Sequence, residues 1–600
     1  MKTMKDMKTM IVCCFSAMLL FTFNACQDML DTDSNRLVFD EEYDLNNPQD
    51  PRFAIVGILA EVQRIADRYV LFGELRGDLM KTTDIAALSL KEIEQFQVSS
   101  GNEYIEKLDY YSIINNCNFA LQRMDTTLTI NTEKVMLPAY AQIKTIRAWT
   151  YFQLAQIFGN VIYLTDPITD LESSLVQHTP TSIDVLVETL ITDLTPYIAV
   201  PLPSSNITPS QFMPAALLLG DLYLYQQNYV QAARMYHQMM SGAATNSSYP
   251  IALGDYINSW NAGFTTVARF DHGDSYRNEL LALVQFDSDP RKLHSKLVSL
   301  SFNDRPSILP VDNYVGFMDT APYFHTSSES GSGVISYREG DLRGNIPLTG
   351  GGLGDAYFYT NIQNSPQPVP LIYKYMYVSN ENLSGYDPNN DMLSSIFDGG
   401  NGLIYPGGLY YQHYIPIYRV PHLYLRYAEA VNRAGKPTLA FAVLKYGLTN
   451  TTVADATRVD PSELGEDFTI FQSFSDNTAT AVRGRGYGIQ SPSAYTIPDF
   501  TRRILSGDTD ENGDPILIPS VDAGDLLAAK QDSILWVEDR ILEELAAETA
   551  FEGNRFFDLL RISRNRPNHP EFMAEKVSAK YENAAVMKAK LMNLNNWFLP

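Results

Sequence analysis

Apolar residues recur at helical spacing in three stretches of this chain, and the rest lacks that rhythm. The first stretch runs from about 53 to 158, with amphipathic segments near 53–66, 106–124 and 138–158. The second runs from about 182 to 240, and the third covers about 420–446 and 534–563. Between 245 and 420, Gly, Pro, Ser, Asn and Asp crowd together, as in Ser327–Gly333, Thr349–Gly354 and Asp398–Gly408. Short β-type runs, Leu280–Phe286 and Val369–Val378, interrupt those turns. The pattern predicts a mainly α chain. A helical body carries a large loop-rich insertion containing short strands, and a second irregular excursion covers 447–533.

One spacing recurs inside the helical stretches. Gly220, Tyr223, Ala232 and Tyr236 repeat as Ala428, Val431, Ala440 and Leu444, with identical offsets. Small residues at 220/428 and 232/440 let two antiparallel helices approach, and larger residues fill the groove beside them. This is the tetratricopeptide pattern, a helix–turn–helix unit of about 34 residues. Arg147-Ala148-x-x-Tyr151 looks like a third, poorer copy. Such repeats present large surfaces that dock partners.

The N-terminus has a different logic. Lys2, Lys5 and Lys8 precede an apolar run from Met10 to Phe23, then Asn24-Ala25-Cys26 and the acidic stretch 27–31. Basic, apolar, then small-plus-Cys is the layout of a secretory signal with a lipidation site at Cys26. The run is too short for a permanent membrane span, which needs about 20 residues. Residues 1–25 are therefore expected to be a lipoprotein signal peptide and 26–52 a lipid-anchored tether. The body divides into 53–244 (helical repeats), 245–420 (the insertion) and 421–600 (helical repeats with the excursion).

Charge and cysteine count narrow the function. The net charge of −25 repels phosphate backbones, which argues against nucleic acid and against charge-driven adsorption to anionic lipid. Of four cysteines, Cys13 and Cys14 leave with the signal and Cys26 is acylated, so Cys117 has no intramolecular disulfide partner. It sits in an apolar helical pattern and reads as a buried thiol. No His-Glu-x-x-His, nucleophile elbow or phosphate loop occurs. The chain is not expected to be an enzyme and no cofactor is expected, although paired carboxylates leave a surface glycosidase as a minor alternative. One metal candidate survives: Asp508, Asp510, Asn512 and Asp514 begin like a calcium loop, but Pro519 stands where a closing Glu would be.

Longer motifs add a resemblance. Ile143–Leu154 closed by Ile157–Val161, Gly73–Met80, Tyr111–Asn118, Asn278–Leu280, Pro416–Arg419 with Tyr424–Ala430, Phe551–Arg561, and the closing Asn596-Trp597-Phe598-Leu599-Pro600 follow one another in order. Together they resemble the SusD/RagB family of outer-membrane nutrient-binding lipoproteins. Val482–Gly486, the nearest match to a segment after the family's last repeat, is displaced by the long excursion. The resemblance implies a lipid-anchored protein on the outer membrane, facing the cell exterior. It implies capture of glycan, or in some members peptide, and delivery to a SusC-like TonB-dependent transporter.

Sugars are gripped by aromatic faces and by polar groups for their hydroxyls. Trp149, Trp536 and Trp597 lie in helical or terminal motifs and read as core. The ligand candidates are then Trp260 with Tyr256 and Phe264 at i−4 and i+4, Tyr357 and Tyr359, and Tyr410 and Tyr411 with Tyr414. The junction at 552–561 places Glu552, Arg555, Asp558 and Arg561 where they can pair as a structural clasp, with Gly553 left-handed and Asn554 capping the next helix. Arg540 and Glu544 share a helix face.

Overall fold

The computed structural model describes residues 45, 47, 50–203, 211–240, 280–286, 293–301, 305–327, 334–341, 343–344, 356–360, 367–372, 374–375, 377–378, 409–410, 414–465, 494–509, 515–519 and 523–600. Helix α1 (Asp50–Glu74) buries Ile55, Ile58, Val62, Ile65 and Tyr69, one stripe at three-to-four-residue spacing. Helices α2 (Leu108–Arg123) and α3 (Leu137–Phe158) pack against it. Helix α3 departs from the expected amphipathic pattern: it is buried on all sides from Ala141 to Phe158, apart from Lys144. It is wrapped by α1, α2 and α4 (Ile183–Leu194), so no face needs to be polar. Its threonines return their hydroxyls to the helix, Thr145 to Ala141 O and Thr150 to Ile146 O, both at 2.8 Å. Its Arg147 donates to Asn118 Oδ1 at 2.7 Å and to Asp193 Oδ2 at 2.9 Å.

The expected repeats are present as helical hairpins. Helices α5 (Ala215–Tyr225) and α6 (Tyr229–Met240) form one. Helix α7 (Asp312–Thr320) belongs to the insertion, and α8 (Val420–Arg433) with α9 (Pro437–Lys445) forms the second hairpin. The need for a small residue at 220 is visible in the packing. A Cβ on Gly220 would stand 2.4 Å from the Tyr236 ring. The third copy is not a repeat of this kind. Its offsets would put the small residue of a second helix at Asn160, where α3 has already ended at Gly159 (φ +77°).

Helices α10 (Ala523–Thr549), α11 (Arg555–Ser563), α12 (Glu571–Ser578) and α13 (Ala584–Leu591) complete the body. Among the described residues every sheet is an antiparallel pair. Strand β1 (Met80–Thr82) pairs with β3 (Ile308–Pro310), and β2 (Leu280–Gln285) pairs with β6 (Tyr414–Arg419), so the insertion leaves and rejoins the body at neighbouring strands. Within it β4 (Tyr357–Thr360) pairs with β5 (Val369–Ile372). Among the described residues no helix is long and apolar enough to cross a membrane.

The 552–561 junction is the expected clasp, with a wider set of partners. Gly553 is left-handed at φ +92°. A Cβ on Gly73 would lie 1.8 Å from its carbonyl oxygen, so the two backbones touch. Glu74 Oε1 accepts from Gly553 N at 2.7 Å, and Arg555 pairs with Asp78 at 2.6 and 2.9 Å. Glu552 is met by Lys374 and Arg419, and Arg561 by Glu429 and Asp558. Asn554 stands at the N-cap position but does not cap; its Oδ1 accepts from the Tyr69 hydroxyl and from Arg426 instead. Arg540 reaches Glu543 at 2.7 Å, while Glu544 is taken by Arg343, so those two helix-face neighbours do not pair with each other.

Arg343 docks the insertion on α10. It is 1% exposed and meets Asp341, Glu544 and Glu548 at 2.5, 3.0 and 3.1 Å. The C-terminal segment closes the opposite side. Buried Arg76 donates to Trp597 O, Leu599 N donates to Ile157 O at 2.9 Å, and the Phe598 ring lies against Gly159. Trp149 and Trp597 are core, as expected, and so is Cys117, whose thiol burial pushes up to about 12.

Candidate functional site

A cavity of about 440 Å³ opens where the insertion meets the C-terminal helices. One wall is α7. Asp312 in its first turn suits the positive end of the helix dipole, and Tyr314, Val315 and Met318 anchor it to the core. That anchoring leaves Asn313 and Phe317, one turn apart, to line the cavity. The second wall is α10, which contributes Asp539, Glu543 and Ala546 from one face. The third comes from α12 and the residues after it: Phe572, Glu575, Lys576, Ala579 and Lys580. Asp78, Leu79 and Arg555 are the floor, so the clasp described above is also the base of the cleft. Asn313 Nδ2 donates to Ala579 O at 3.1 Å and ties the first wall to the third.

The charges around this cleft are arranged in pairs. Burial pushes the Asp78 carboxyl up, but Arg555 beside it more than offsets this and holds it below the usual carboxylate range. Asp539 meets Arg566 at 2.7 Å and Glu575 meets Lys588 at 2.6 Å. Glu543 is raised by burial, against the opposing pull of Arg540. Lys580 is brought down to about 8 by burial, with Glu94 opposing. Its ammonium donates to the carbonyls of Leu75 at 2.5 Å and Met80 at 3.0 Å. An aromatic ladder leads inward from the cleft: Tyr314 packs edge-on against Phe551 at 5.5 Å and Tyr357 at 6.0 Å. The arrangement offers hydrogen-bond acceptors and donors beside flat apolar surface, which suits a ligand rich in both C–H faces and hydroxyls.

No protein-family model matches the chain. It is 22% identical over 292 residues to a SusD-like protein, P25, of Formosa agariphila, covering 46% of this chain and 51% of that one. The chain thus spans about half the length of that curated relative. Solved structures match far more of it. A SusD superfamily protein of Bacteroides vulgatus aligns over 91% of this chain and 93% of its own, at TM-score 0.53 and 12% identity. One from Bacteroides thetaiotaomicron aligns over 88% and 93%, at TM-score 0.51 and 14% identity. The chain has the fold of these SusD superfamily proteins. A further likeness, over 87% of this chain and 88% of the other at TM-score 0.51 and 17% identity, is to a Bacteroides vulgatus protein described as a putative sugar binding protein.

Within this SusD fold the sequence-expected aromatics scatter. Tyr357 is fully buried, its hydroxyl donating to Asp319 Oδ1 at 2.9 Å, so it is core and offers no open face. Tyr359 is half-buried and donates to Asp319 Oδ2 at 3.1 Å. Tyr414 is half-buried on β6, opposite Gln285. Tyr410 lies on a short strand paired with Tyr377–Val378. Tyr256, Trp260, Phe264 and Tyr411 lie outside the described residues, as does Cys26. Asp508 falls on the strand Arg502–Thr509, and Asp510, Asn512 and Asp514 lie outside the description. Among the described residues no group of three His, Cys, Asp or Glu side chains is placed to hold a metal ion. Trp536 is half-buried rather than core, with Phe441 at 5.5 Å and Arg540 at 5.4 Å over its ring.

The cleft residues Asn313, Phe317, Phe572 and Lys576 escaped the sequence reading. A signal existed: Asn313 and Phe317 are one helical turn apart beside the buried trio Tyr314, Val315 and Met318. It is a short helix inside a region that otherwise reads as turns.

Proposed function

We propose that this chain is a surface lipoprotein, anchored through Cys26, that binds glycan without turnover and passes it to a SusC-like TonB-dependent transporter. The binding half of this reading rests on one observation. The cleft sets Tyr314, Phe317 and Phe572 beside Asn313, Asp539 and Glu543 in about 440 Å³, within the range of roughly 300–1,000 Å³ usual for small-ligand sites. The SusD fold, and the sugar-binding description of one fold neighbour, support the same direction. The helical-repeat body is the proposed transporter face, its contact made by the partly exposed side of α6 and the helices around it, since α8 is buried from Val420 to Asn432.

Titrating purified chain from residue 27 onward with a panel of oligosaccharides and short peptides tests the ligand. Phe317→Ala should weaken glycan binding at least tenfold. Binding of peptides alone would favour the peptide alternative, and binding of neither would sink the reading. Metabolic labelling with a palmitate analogue should be abolished by Cys26→Ala. Affinity capture from the outer membrane should recover the transporter. A stabilising shift with added calcium, reversed by chelator, would assign the Asp508–Asp514 stretch as a structural ion site.

Hydrolysis is the second reading, because Asp539 and Glu543 stand one turn apart on one wall and burial raises Glu543. Arg566 pairs with Asp539 and Arg540 with Glu543, which works against either serving as a general acid. Product analysis after prolonged incubation decides: oligosaccharide cleavage by wild type that is lost in Glu543→Gln would establish it.

A further inference from the structure

We propose that the cleft selects an uncharged, hydroxyl-rich ring and discriminates against sugars that carry a net charge. This deepens the glycan reading above and rests on it.

The first argument is the state of the lining. Each carboxylate that faces the cleft already has a cation beside it: Asp78 has Arg555 at 2.6 Å, Asp539 has Arg566 at 2.7 Å, Glu543 has Arg540 at 2.7 Å and Glu575 has Lys588 at 2.6 Å, with Arg566 and Lys588 shared with Glu538 and Glu571. Lys580 is spent on two backbone carbonyls, with Glu94 at 3.7 Å. Lys576 stands at the mouth, its ammonium 5.9 Å from the centre of the Phe572 ring. An ionised carboxylate has about four acceptor positions, so pairing with one cation leaves it able to accept from a hydroxyl. The walls therefore present hydrogen-bonding capacity while their carboxylate charges are largely offset by neighbouring cations.

A ligand with its own charge gains little here. It would lose hydration on entry, and the charges it meets are already compensated. The second argument acts outside the cleft. The whole chain carries −25, so an anionic sugar is repelled on approach. A cationic one is attracted to the surface but finds no uncompensated carboxylate on the walls. A neutral ring pays neither penalty, and its C–H face can rest on half-buried Phe317, with only the rim of buried Phe572 beside it.

Matched probes test this by titration calorimetry at low and high salt: cellotriose against the glucosamine trimer, and a galactose oligomer against oligogalacturonate. The neutral member of each pair should bind at least about tenfold tighter, or ~1.4 kcal/mol, and its affinity should be flat in salt. A charged member that binds as tightly as its neutral partner would overturn the proposal, as would salt-sensitive binding of the neutral one. Phe317→Ala and Phe572→Ala locate the site. If both variants fold, by their circular dichroism, and keep wild-type affinity, the ligand sits elsewhere; the charge rule then falls while the glycan reading stands. If no sugar of either kind binds the wild type, the glycan reading itself has failed.

Discussion

Two glycines on α1 should respond to the same substitution with opposite signs. Gly57 is exposed, and nothing lies within 4 Å of where its Cβ would be. Replacing Gly by Ala in an open helix position is worth about 1 kcal/mol of stability. Gly73 gains the same propensity but has no room: its Cβ would lie 1.8 Å from the Gly553 carbonyl oxygen and 2.3 Å from the carbonyl carbon. Those are backbone atoms and cannot swing aside. Real Cβ atoms essentially never approach closer than 3.0 Å, so α1 and the Gly553 turn must separate by more than an ångström. Overpacking of this kind costs about 1–3 kcal/mol. The same displacement stretches the 2.7 Å bond from Gly553 N to the buried Glu74 carboxylate, and hydrogen bonds to charged groups contribute about 1.5–3 kcal/mol. Setting the propensity gain of about 1 kcal/mol against these losses leaves Gly73→Ala destabilised by roughly 1.5–5 kcal/mol. Urea unfolding of Gly57→Ala, Gly73→Ala and wild type, followed by far-UV circular dichroism, measures both. Gly57→Ala should have the higher midpoint and Gly73→Ala the lower. A Gly73→Ala variant at or above the wild-type midpoint would refute the backbone contact on which the clasp is built.

Removing one member of the docking cluster, as in Arg343→Met, takes the shared cation away from Asp341, Glu544 and Glu548 and should cost about 3–5 kcal/mol; limited proteolysis should then cut first within the insertion. Acid should unfold the protein through His422 and Glu552. Burial brings His422 down to about 3, so the unfolded chain binds its proton first and stability is lost as pH falls below about 6.5. Burial raises Glu552, but Arg419 and Lys374 outweigh it and hold the group at about 2, so its contribution is lost as pH falls from 4.5 toward 2. Glu74 has the opposite sign. Burial raises it to about 7, the folded state binds the proton more tightly, and stability declines as pH rises from 4.5 through 7; Glu74→Gln should flatten that part of the pH–stability curve. Cys117 should be inert to a thiol reagent in the native state and react only after denaturation, since it is fully buried.

The helical body was legible because its periodicity is strong and its small-residue positions are sterically forced. Gly220 against Tyr236 is the plainest case, where a spacing in the sequence became a ring packed on a bare backbone. Local pattern failed where burial comes from all sides. The spacing of helix α3 suggests two faces, yet its polar residues are buried: Thr145 and Thr150 return their hydroxyls to their own helix, and Arg147 is met by Asn118 and Asp193, which no local window contains. The Asn554 expectation failed for a related reason: Tyr69 and Arg426 claim its side chain. The cleft was illegible because its walls come from residues 78–79, 313–317 and 539–580. Exposed-aromatic reasoning pointed at Tyr357, whose ring turned out to be the inner rung of a packing ladder.

The clasp and the cleft are therefore one construction problem. Glu74 and Gly553 are 479 residues apart, and Asp78 and Arg555 are 477 apart. Bringing such ends together in an unfolded chain costs about 5 kcal/mol of loop entropy beyond a constant term. No single contact here offsets that. The Gly73–Gly553 approach, the Glu74 bond, the Tyr69–Asn554 bond and the Asp78–Arg555 pair must form together, and each presupposes the geometry of the others. Asp78 and Arg555 then serve as the floor of the cavity, while α7 closes it from an insertion whose flanking strands β2 and β6 are already paired on the body. A ligand site assembled this way exists only in the fully folded chain. It follows that ligand binding should raise the midpoint of the global transition and leave partly unfolded forms without affinity. A binding-competent fragment lacking either the first hundred residues or the last fifty would contradict this coupling.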